Sequence, residues 1–464
     1  MSGTSKALGR IASLLDDSSF AEIGALVTAR STDLNADPKA LASDGCVTGY
    51  GTIGGRCVYV YSQDASVLGG SIGEMHARKI VNLYDMAIRT GSPVIGIIDC
   101  AGMRLEEGSD ALYAFGRIYG KMTKASGLIP QITAVVGNCG GGAGLFSGLS
   151  DFTFISGDGK LFVNAPDTIT GNYTAKNDTA SGKYQSEVTG NAQLCATEAD
   201  LFAAVRQLVS VLPSNNETSN DDLEGTSSDD LNRALAVTDA ASAAALIENL
   251  GDAGSFIEIR PAYEPSVVTA FIKLDGVLTG VVANNGYKFE GEKAVKIDNV
   301  LTADGCDKAA DFIRFCDAFD IQVLTLTNVK GFEASEANEK RIARSAAALA
   351  GVLASSTVPK VNVITGDAIG NAANIMNSKA LGCDMTISWS TSRVGIMDGK
   401  LAAQITGKSA SDIESGLAGA ADAARRGYVD QVINAADTRK YVIAAFEMLY
   451  SKNGSEIYKK HTSI

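Results

Sequence analysis

The sequence predicts an α/β fold with a largely parallel sheet, built twice. Three observations carry this. An apolar run, Ile132 to Val136, stops at a glycine cluster, Gly137-Asn138-Cys139-Gly140-Gly141-Gly142-Ala143-Gly144-Leu145, after which a helix can follow. The same pattern returns about 230 residues later as Val361-Asn362-Val363-Ile364-Thr365-Gly366-Asp367-Ala368-Ile369-Gly370-Asn371-Ala372-Ala373-Asn374. Ahead of each turn come a strand, a crossover helix and a second strand, the order of a parallel sheet.

Taken in order, Leu8 to Phe20 reads as a short amphipathic helix and Phe20 to Arg30 as an extended entry. Ser31 to Ala42 is a polar linker. Val47 to Ser62 reads as a hairpin around a Gly54-Gly55-Arg56 turn, because β-branched and aromatic runs flank the glycines. Glu74 to Thr90 has helical spacing of Met75, Ile80, Leu83, Met86 and Ala87. Pro93 to Asp99 is a buried-type strand, and the loop Cys100-Ala101-Gly102-Met103-Arg104 leads into another helix. Ile129 to Val136 is the strand before the first glycine turn. Leu194 to Leu212 reads as a helix, broken by Pro213. Glu217 to Asp230 is an acidic, Ser/Thr/Asn-rich linker and marks the boundary.

The plan then restarts. Ser255-Phe256-Ile257-Glu258-Ile259 echoes Ser19-Phe20-Ala21-Glu22-Ile23. Val267 to Asn284 repeats the hairpin, Cys306 to Phe319 the helix, and Val323 to Thr327 the strand before a glycine loop, Lys330-Gly331-Phe332. Glu336 to Leu353 is an Ala-rich helix, and Val358 to Thr365 leads to the second turn.

Composition narrows the chemistry. A net charge of −13 argues against nucleic acid or anionic membrane as the main partner. The eight cysteines are scattered without a CxxC, and the only histidines are His76 and His461. No metal site and no Cys-His or Ser-His machine is therefore expected. The cysteines read as small buried hydrophobes of a reducing, cytoplasmic protein, and His76 as a structural hydrogen-bonder. Glu106-Glu107 reads as a helix cap. What remains is main-chain N–H groups at helix starts, preorganised donors that stabilise charge developing on a carbonyl oxygen. A thioester enolate is a suitable target. Either turn alone is better explained by close helix-to-strand packing; two at matching places in a doubled chain point to chemistry.

Several further stretches carry a resemblance: Gly49-Tyr50-Gly51-Thr52-Ile53, Ser62-Gln63-Asp64, Gly69-Gly70-Ser71-Ile72-Gly73-Glu74, Asp99 to Gly108, Gly137 to Ala143 with Asp151-Phe152-Thr153-Phe154, Val281-Val282-Ala283-Asn284, Cys316-Asp317-Ala318-Phe319, Ala368 to Ala372, and Arg426 to Ile433. With them the chain resembles, from about Leu8 to about Tyr450, the biotin-dependent carboxyltransferase family. The type is the propionyl-CoA or acyl-CoA carboxylase β-subunit, shared with the α-subunit of biotin-dependent acyl-CoA decarboxylases.

The resemblance implies two tandem crotonase-like (ClpP/enoyl-CoA hydratase) domains of the ββα superhelix type, 1–225 on the acyl-CoA side and 226–464 on the biotin side. It implies that the amides of Gly141 and Gly142, beside Gly140, hold the acyl-CoA thioester oxygen. The amides of Asn371 and Ala372, beside Gly370, would hold the ureido oxygen of biotin, and Asn374 matches a position that influences the acyl group. Gly102 is a further candidate contact. Arg78 and Lys79, with Arg56 and Arg104, are candidates for CoA phosphates, against a solvated helix face as the plainer role. A carboxyl group would pass between biotin and the α-carbon of a short, propionyl- or methylmalonyl-like CoA thioester, with no side-chain base required.

No Met-Lys-Met biotinylation site occurs, so biotin is expected on a separate carrier protein. A biotin carboxylase or a membrane decarboxylase subunit is the expected partner, in a complex whose core is a homo-hexamer. The departures from the family pattern are Asn371 in place of a second glycine, the polar segment Thr168 to Ser186, the Lys330-Gly331-Phe332 loop, and a shortened Thr406 to Arg425. The alternatives are the same transfer run in reverse by a sodium-pumping decarboxylase, a non-catalytic assembly subunit with a degenerate biotin site, and a biotin-independent CoA-thioester hydratase or hydrolase.

Overall fold

A computed structural model describes residues 5–34, 43–218, 227, 229–290, 293–397, 399–411 and 418–452. The chain divides into two compact units, Met1–Thr218 and Ser219–Ile464. Residues 35–42 of the first expected linker, and 219–226 and 228 of the second, lie outside the described residues, as does the expected boundary at 225/226.

In the first unit the strands are β1 (Ala21–Ile23), β2 (Cys46–Ile53), β3 (Arg56–Gln63), β4 (Val94–Cys100), β5 (Gln131–Gly140), β6 (Phe152–Ser156), β7 (Lys160–Phe162) and β8 (Gln193–Cys195). They form one sheet in the order β1-β2-β3-β4-β5-β6-β8, with β7 also on β5. β2 and β3 are the expected hairpin, in register from Cys46↔Gln63 to Ile53↔Arg56. From β3 onward the pairing is parallel. The helix Glu74–Thr90 has the expected limits and turns Ala77, Ile80, Leu83, Tyr84 and Ala87 inward. With the helix Ser109–Ala125 it covers the sheet and closes a core that includes Tyr61, Ile98, Phe115, Ile118 and Phe146.

The second unit repeats the plan with β9 (Ile257–Ile259), β10 (Val267–Leu274), β11 (Val277–Asn284), β12 (Tyr287–Glu290), β13 (Lys293–Lys296), β14 (Gln322–Val329), β15 (Lys360–Ile369), β16 (Met385–Trp389), β17 (Arg393–Gly395), β18 (Ala418–Gly419) and β19 (Gln431–Ile433). Its main sheet runs β18-β17-β15-β14-β11-β10-β9, with β16 between β15 and β19. β12 and β13 form a separate two-stranded ribbon.

The repetition extends to single hydrogen bonds. Asp16 accepts from Gly54 N and Gly55 N at the first hairpin turn, and Asp252 from Asp275 N and Gly276 N at the second. Arg206 and Arg439, each on the unit's closing helix, pair with these carboxylates. Asp151 accepts from Gln131 N at 2.7 Å and Asp384 from Lys360 N at 2.8 Å, so each carboxylate fixes the start of the strand that leads to the glycine turn. At the sixth position of the helices Glu74–Thr90 and Ala303–Ala318, Lys79 and Lys308 donate to the carbonyl of the first hairpin residue, Cys46 or Val267. Buried ammonium groups need such partners.

Some expectations are corrected. β5 does not stop at Gly137 but continues to Gly140, because Asn138, Cys139 and Gly140 pair with Lys160, Leu161 and Phe162 of β7. Glycines are poor strand formers alone, and a partner distant in sequence decides here. The expected helix Leu194 to Leu212 begins with β8 and becomes helical only at Glu198, where Thr197 and Asp200 form a capping box. The Ala-rich helix breaks into Glu336–Glu339 and Ile342–Ser355. Seven of the eight cysteines are buried; Cys57 is exposed.

Candidate functional site

The first turn is built where β5 runs out. Gly140 is extended and Gly141 switches to φ +59°, the left-handed region open mainly to glycine. Gly141–Leu145 is then a 3-10 turn and Phe146–Leu149 a short α-helix. The leading N–H groups of a helical segment have no acceptor within it, so the chain ends its strand with the donors of Gly141 and Gly142 in sequence. Gly102 is brought to this turn: a β-carbon on it would lie 3.2 Å from the Gly140 carbonyl oxygen. Its N–H donates to Cys100 Sγ at 3.3 Å and its carbonyl accepts from Ile72 N at 2.9 Å.

Two of the resembling stretches form the bed under Gly102. Ala101 N donates to Gly69 O and Arg104 N to Ile72 O, so Gly69 to Glu74 and Asp99 to Gly108 lie side by side. The Arg104 guanidinium is fully buried; it pairs with Glu107 at 3.2 Å and donates to Asp44 O and Ser71 O. Glu107 also accepts from Glu74 N at 2.6 Å. Contrary to expectation, the acidic pair does not cap the helix start on which it sits; Glu107 instead caps the helix Glu74–Thr90, which its carboxylate meets across the bed.

His76 completes the bed. Its Nδ1 lies 3.1 Å from Asp44 O, which can only accept, so the proton sits on Nδ1. Nε2 then accepts from the Gln63 amide at 3.2 Å, and Gln63 Oε1 accepts from Asp99 N. Burial, with Arg104 and Lys79 nearby, pulls the imidazole down to about 3. The unfolded chain takes up this proton near the ordinary imidazole value of 6.5. The stability His76 contributes is therefore complete above pH 6.5 and lost as pH falls toward 3, on the order of 4 kcal/mol by pH 3. Urea unfolding of His76→Gln at several pH values should show a flatter acid limb than the wild type, though a lower plateau at pH 7.

The second turn matches the first. Ile369 is extended, Gly370 has φ +68°, and Gly370–Asn374 is a single helical turn. By this register Gly370, Asn371 and Ala372 correspond to Gly141, Gly142 and Ala143. Asn371 and Asn374 are exposed, with Asn374 Nδ2 donating to Asn371 Oδ1 at 3.2 Å, while Ala372 is buried. The turn opens on a cavity of about 830 Å³, lined by Ile364, Ala368, Gly370, Asn371, Ile396 and Arg426 among others. Of the stretch Arg426 to Ile433, the first four residues, Arg426 to Val429, wall this cavity. Val429 packs on Ile364 and Ala368, and Asp430 fixes Thr386 N and the Lys379 ammonium. The mostly apolar lining with a few polar groups is that of a small-molecule site.

The candidate phosphate cations lie elsewhere. Lys79 is buried on Cys46 O and Asp44, and Arg104 on Glu107, so neither presents a free charge. Arg56 donates to Val209 O, Leu212 O and Ser214 Oγ. Of these, only Arg78 is an exposed helix-face cation, paired with Glu74 at 2.9 Å. Sequence reasoning missed Tyr119, whose hydroxyl reaches the Gly142 carbonyl at 2.8 Å. The i, i+4 pair Phe115 and Tyr119 reads simply as core. It also missed Ile396 and Met397, which follow the three-residue strand β17. Among the described residues no group of three His, Cys, Asp or Glu is placed to hold a metal ion. No helix among them is long and apolar enough to cross a membrane.

Comparison with known proteins agrees with this architecture. The family described as "Carboxyl transferase domain" matches residues 2–464. The propionyl-CoA carboxylase beta chain of Saccharopolyspora erythraea is 36% identical, over 100% of this chain and 90% of its own. The methylmalonyl-CoA decarboxylase subunit alpha of Veillonella parvula is also 36% identical, over 100% and 93%. Among solved structures, the transcarboxylase 12S hexamer with hydrolysed methylmalonyl-coenzyme A bound superposes with a TM-score of 0.91 at 30% identity, covering 98% of this chain and 92% of that one. The chain, two tandem crotonase-like α/β units, belongs to the biotin-dependent carboxyltransferase family.

Proposed function

We propose that this chain moves a carboxyl group between biotin on a separate carrier protein and the α-carbon of a short acyl-CoA of the propionyl- or methylmalonyl-CoA kind. The observation that carries it is the matched pair of strand-to-turn junctions, at Gly141 and at Gly370, the second opening on its own cavity. The Gly141 and Gly142 amides hold the thioester oxygen and favour its enolate by donating to the charge that develops there. The Asn371 and Ala372 amides hold a ureido oxygen. The cavity fits that group: its volume takes a bicyclic ring with a short chain, its surface is mostly apolar, and the turn stands among its polar groups, with Asn362, Lys379 and Arg426. Bound biotin supplies the carboxyl group, or takes it up. Neither His76 nor the thiols beside the first turn take part: the imidazole is buried and neutral, and burial raises Cys100 to about 11 and Cys139 well above the ordinary thiol value.

The reading extends to assembly and place. The 12S neighbour is described as a hexamer, which favours a homo-hexamer here. A biotin carboxyl carrier protein, with a biotin carboxylase or a membrane decarboxylase subunit, completes the complex in the cytoplasm. The decarboxylase relative favours the reverse direction as much as the carboxylase relatives favour the forward one.

The test is decarboxylation of methylmalonyl-CoA and malonyl-CoA by the purified chain with free biotin as acceptor. Turnover that requires biotin is expected. Intact oligomers with no turnover on any short acyl-CoA would support an assembly subunit instead, and turnover without biotin would support a hydrolase.

A further inference from the structure

The two turns share a backbone but not the residue in the place of Gly142. Over the first lie Phe115, Tyr119 and Phe146, with ring centroids 5.9 to 6.2 Å apart. Tyr119 donates its hydroxyl to the Gly142 carbonyl at 2.8 Å. A β-carbon on Gly142 would meet that hydroxyl at 2.8 Å and the Phe115 ring at 3.0 Å. Gly142 is thus a glycine because of the roof, not because of its own φ. At the second turn the residue in the place of Gly142 is Asn371, whose exposed side chain accepts from Asn374 Nδ2 at 3.2 Å. There the Asn371 carbonyl is satisfied within its own turn, by Ile375 N at 3.1 Å, and the Asn371 side chain stands in the open.

We propose that Tyr119 is a positioning residue for the acyl-CoA turn. Its hydroxyl ties down the Gly142 carbonyl, and with it the Gly142–Ala143 peptide, and so restrains the adjoining Gly142 amide across the shared Cα. The proposal rests on the reading of that turn as the thioester-oxygen site. Burial raises the phenol, so it stays a donor through the working pH range. A peptide's C=O and N–H directions are coupled through its plane and its neighbours, and a donor aimed at a developing oxyanion loses its value when it swings. At the second turn the Asn371 carbonyl accepts from Ile375 N and the side chain is exposed, so a side chain is tolerated where the first turn has no room for one. That accounts for Asn371 in a place where the first unit admits only glycine.

The test is Tyr119→Phe, which keeps the aromatic cluster and removes only the hydroxyl. With methylmalonyl-CoA and free biotin, kcat is expected to fall roughly three- to tenfold, with KM for both substrates and the acyl-CoA-induced melting shift unchanged. Amide hydrogen exchange across 138–146 is expected to quicken. Tyr119→Leu, which also strips the packing, should lower the melting temperature as well. Wild-type kcat in Tyr119→Phe, or a fall in kcat matched by a rise in acyl-CoA KM and a lower melting temperature, overturns the proposal. Should the wild-type chain show no biotin-dependent turnover, the parent reading fails. Hydrogen exchange then decides the tether by itself, and unchanged exchange in Tyr119→Phe rejects it.

Discussion

Replacing Gly370 with valine is expected to lower biotin-dependent decarboxylation by roughly 10²- to 10³-fold, the loss seen when one oxyanion donor is removed. Gly370 has φ +68°, and a side chain there would start 3.2 Å from the Ile396 carbonyl oxygen. A β-branched residue is excluded from that backbone region, so the turn must re-form with the next peptide rotated. The amides of Asn371 and Ala372 then leave their aim together. The backbone cost is about 1–3 kcal/mol, small beside the catalytic loss. The first unit is untouched, so the stabilisation of the chain by acyl-CoA should persist. Measuring kcat with free biotin alongside the acyl-CoA thermal shift separates the two. A Gly370→Val chain within threefold of wild-type turnover would remove the second turn from the mechanism.

The largest effect on stability is expected at Arg104. Its guanidinium and the Glu107 carboxylate are both fully buried, and Arg104 also answers two backbone carbonyls. Arg104→Met leaves a buried carboxylate without its counter-charge, a loss of about 3–5 kcal/mol. Adding Glu107→Gln should recover part of that, because the amide keeps an acceptor for Glu74 N while the orphaned charge disappears. Urea midpoints of the two single variants and the double variant test this. Equal midpoints for Arg104→Met and the double variant would mean that the pair is not where the stability lies.

Departures from the family pattern acquire physical reasons. Asn371 is permitted because its side chain is exposed, where it is occupied with Asn374. In the polar segment Thr168 to Ser186, the Asp167 carboxylate takes Thr174 N and Oγ1, and Ser181 caps the helix Gly182–Glu187. The segment is thus held by local hydrogen bonds, Asp167 just ahead of it included.

The sequence by itself determined the doubled α/β plan, both hairpins, the helix Glu74–Thr90 and the two glycine turns. These follow from signals contained in short windows: period-2 and period-3.6 burial, and glycine where φ must be positive. Strand β5 beyond Gly137, the short strands from β16 to β19, and the ribbon β12–β13 were decided only by the tertiary structure, since their partners lie far along the chain. The same holds for the cations. Nothing local distinguishes an exposed Arg78 from a buried Lys79 one residue on; the helix phase and the Cys46 carbonyl opposite it do. Tyr119 is the sharpest case. Its spacing declares a core aromatic, and only folding brings its hydroxyl to the one carbonyl it has to hold.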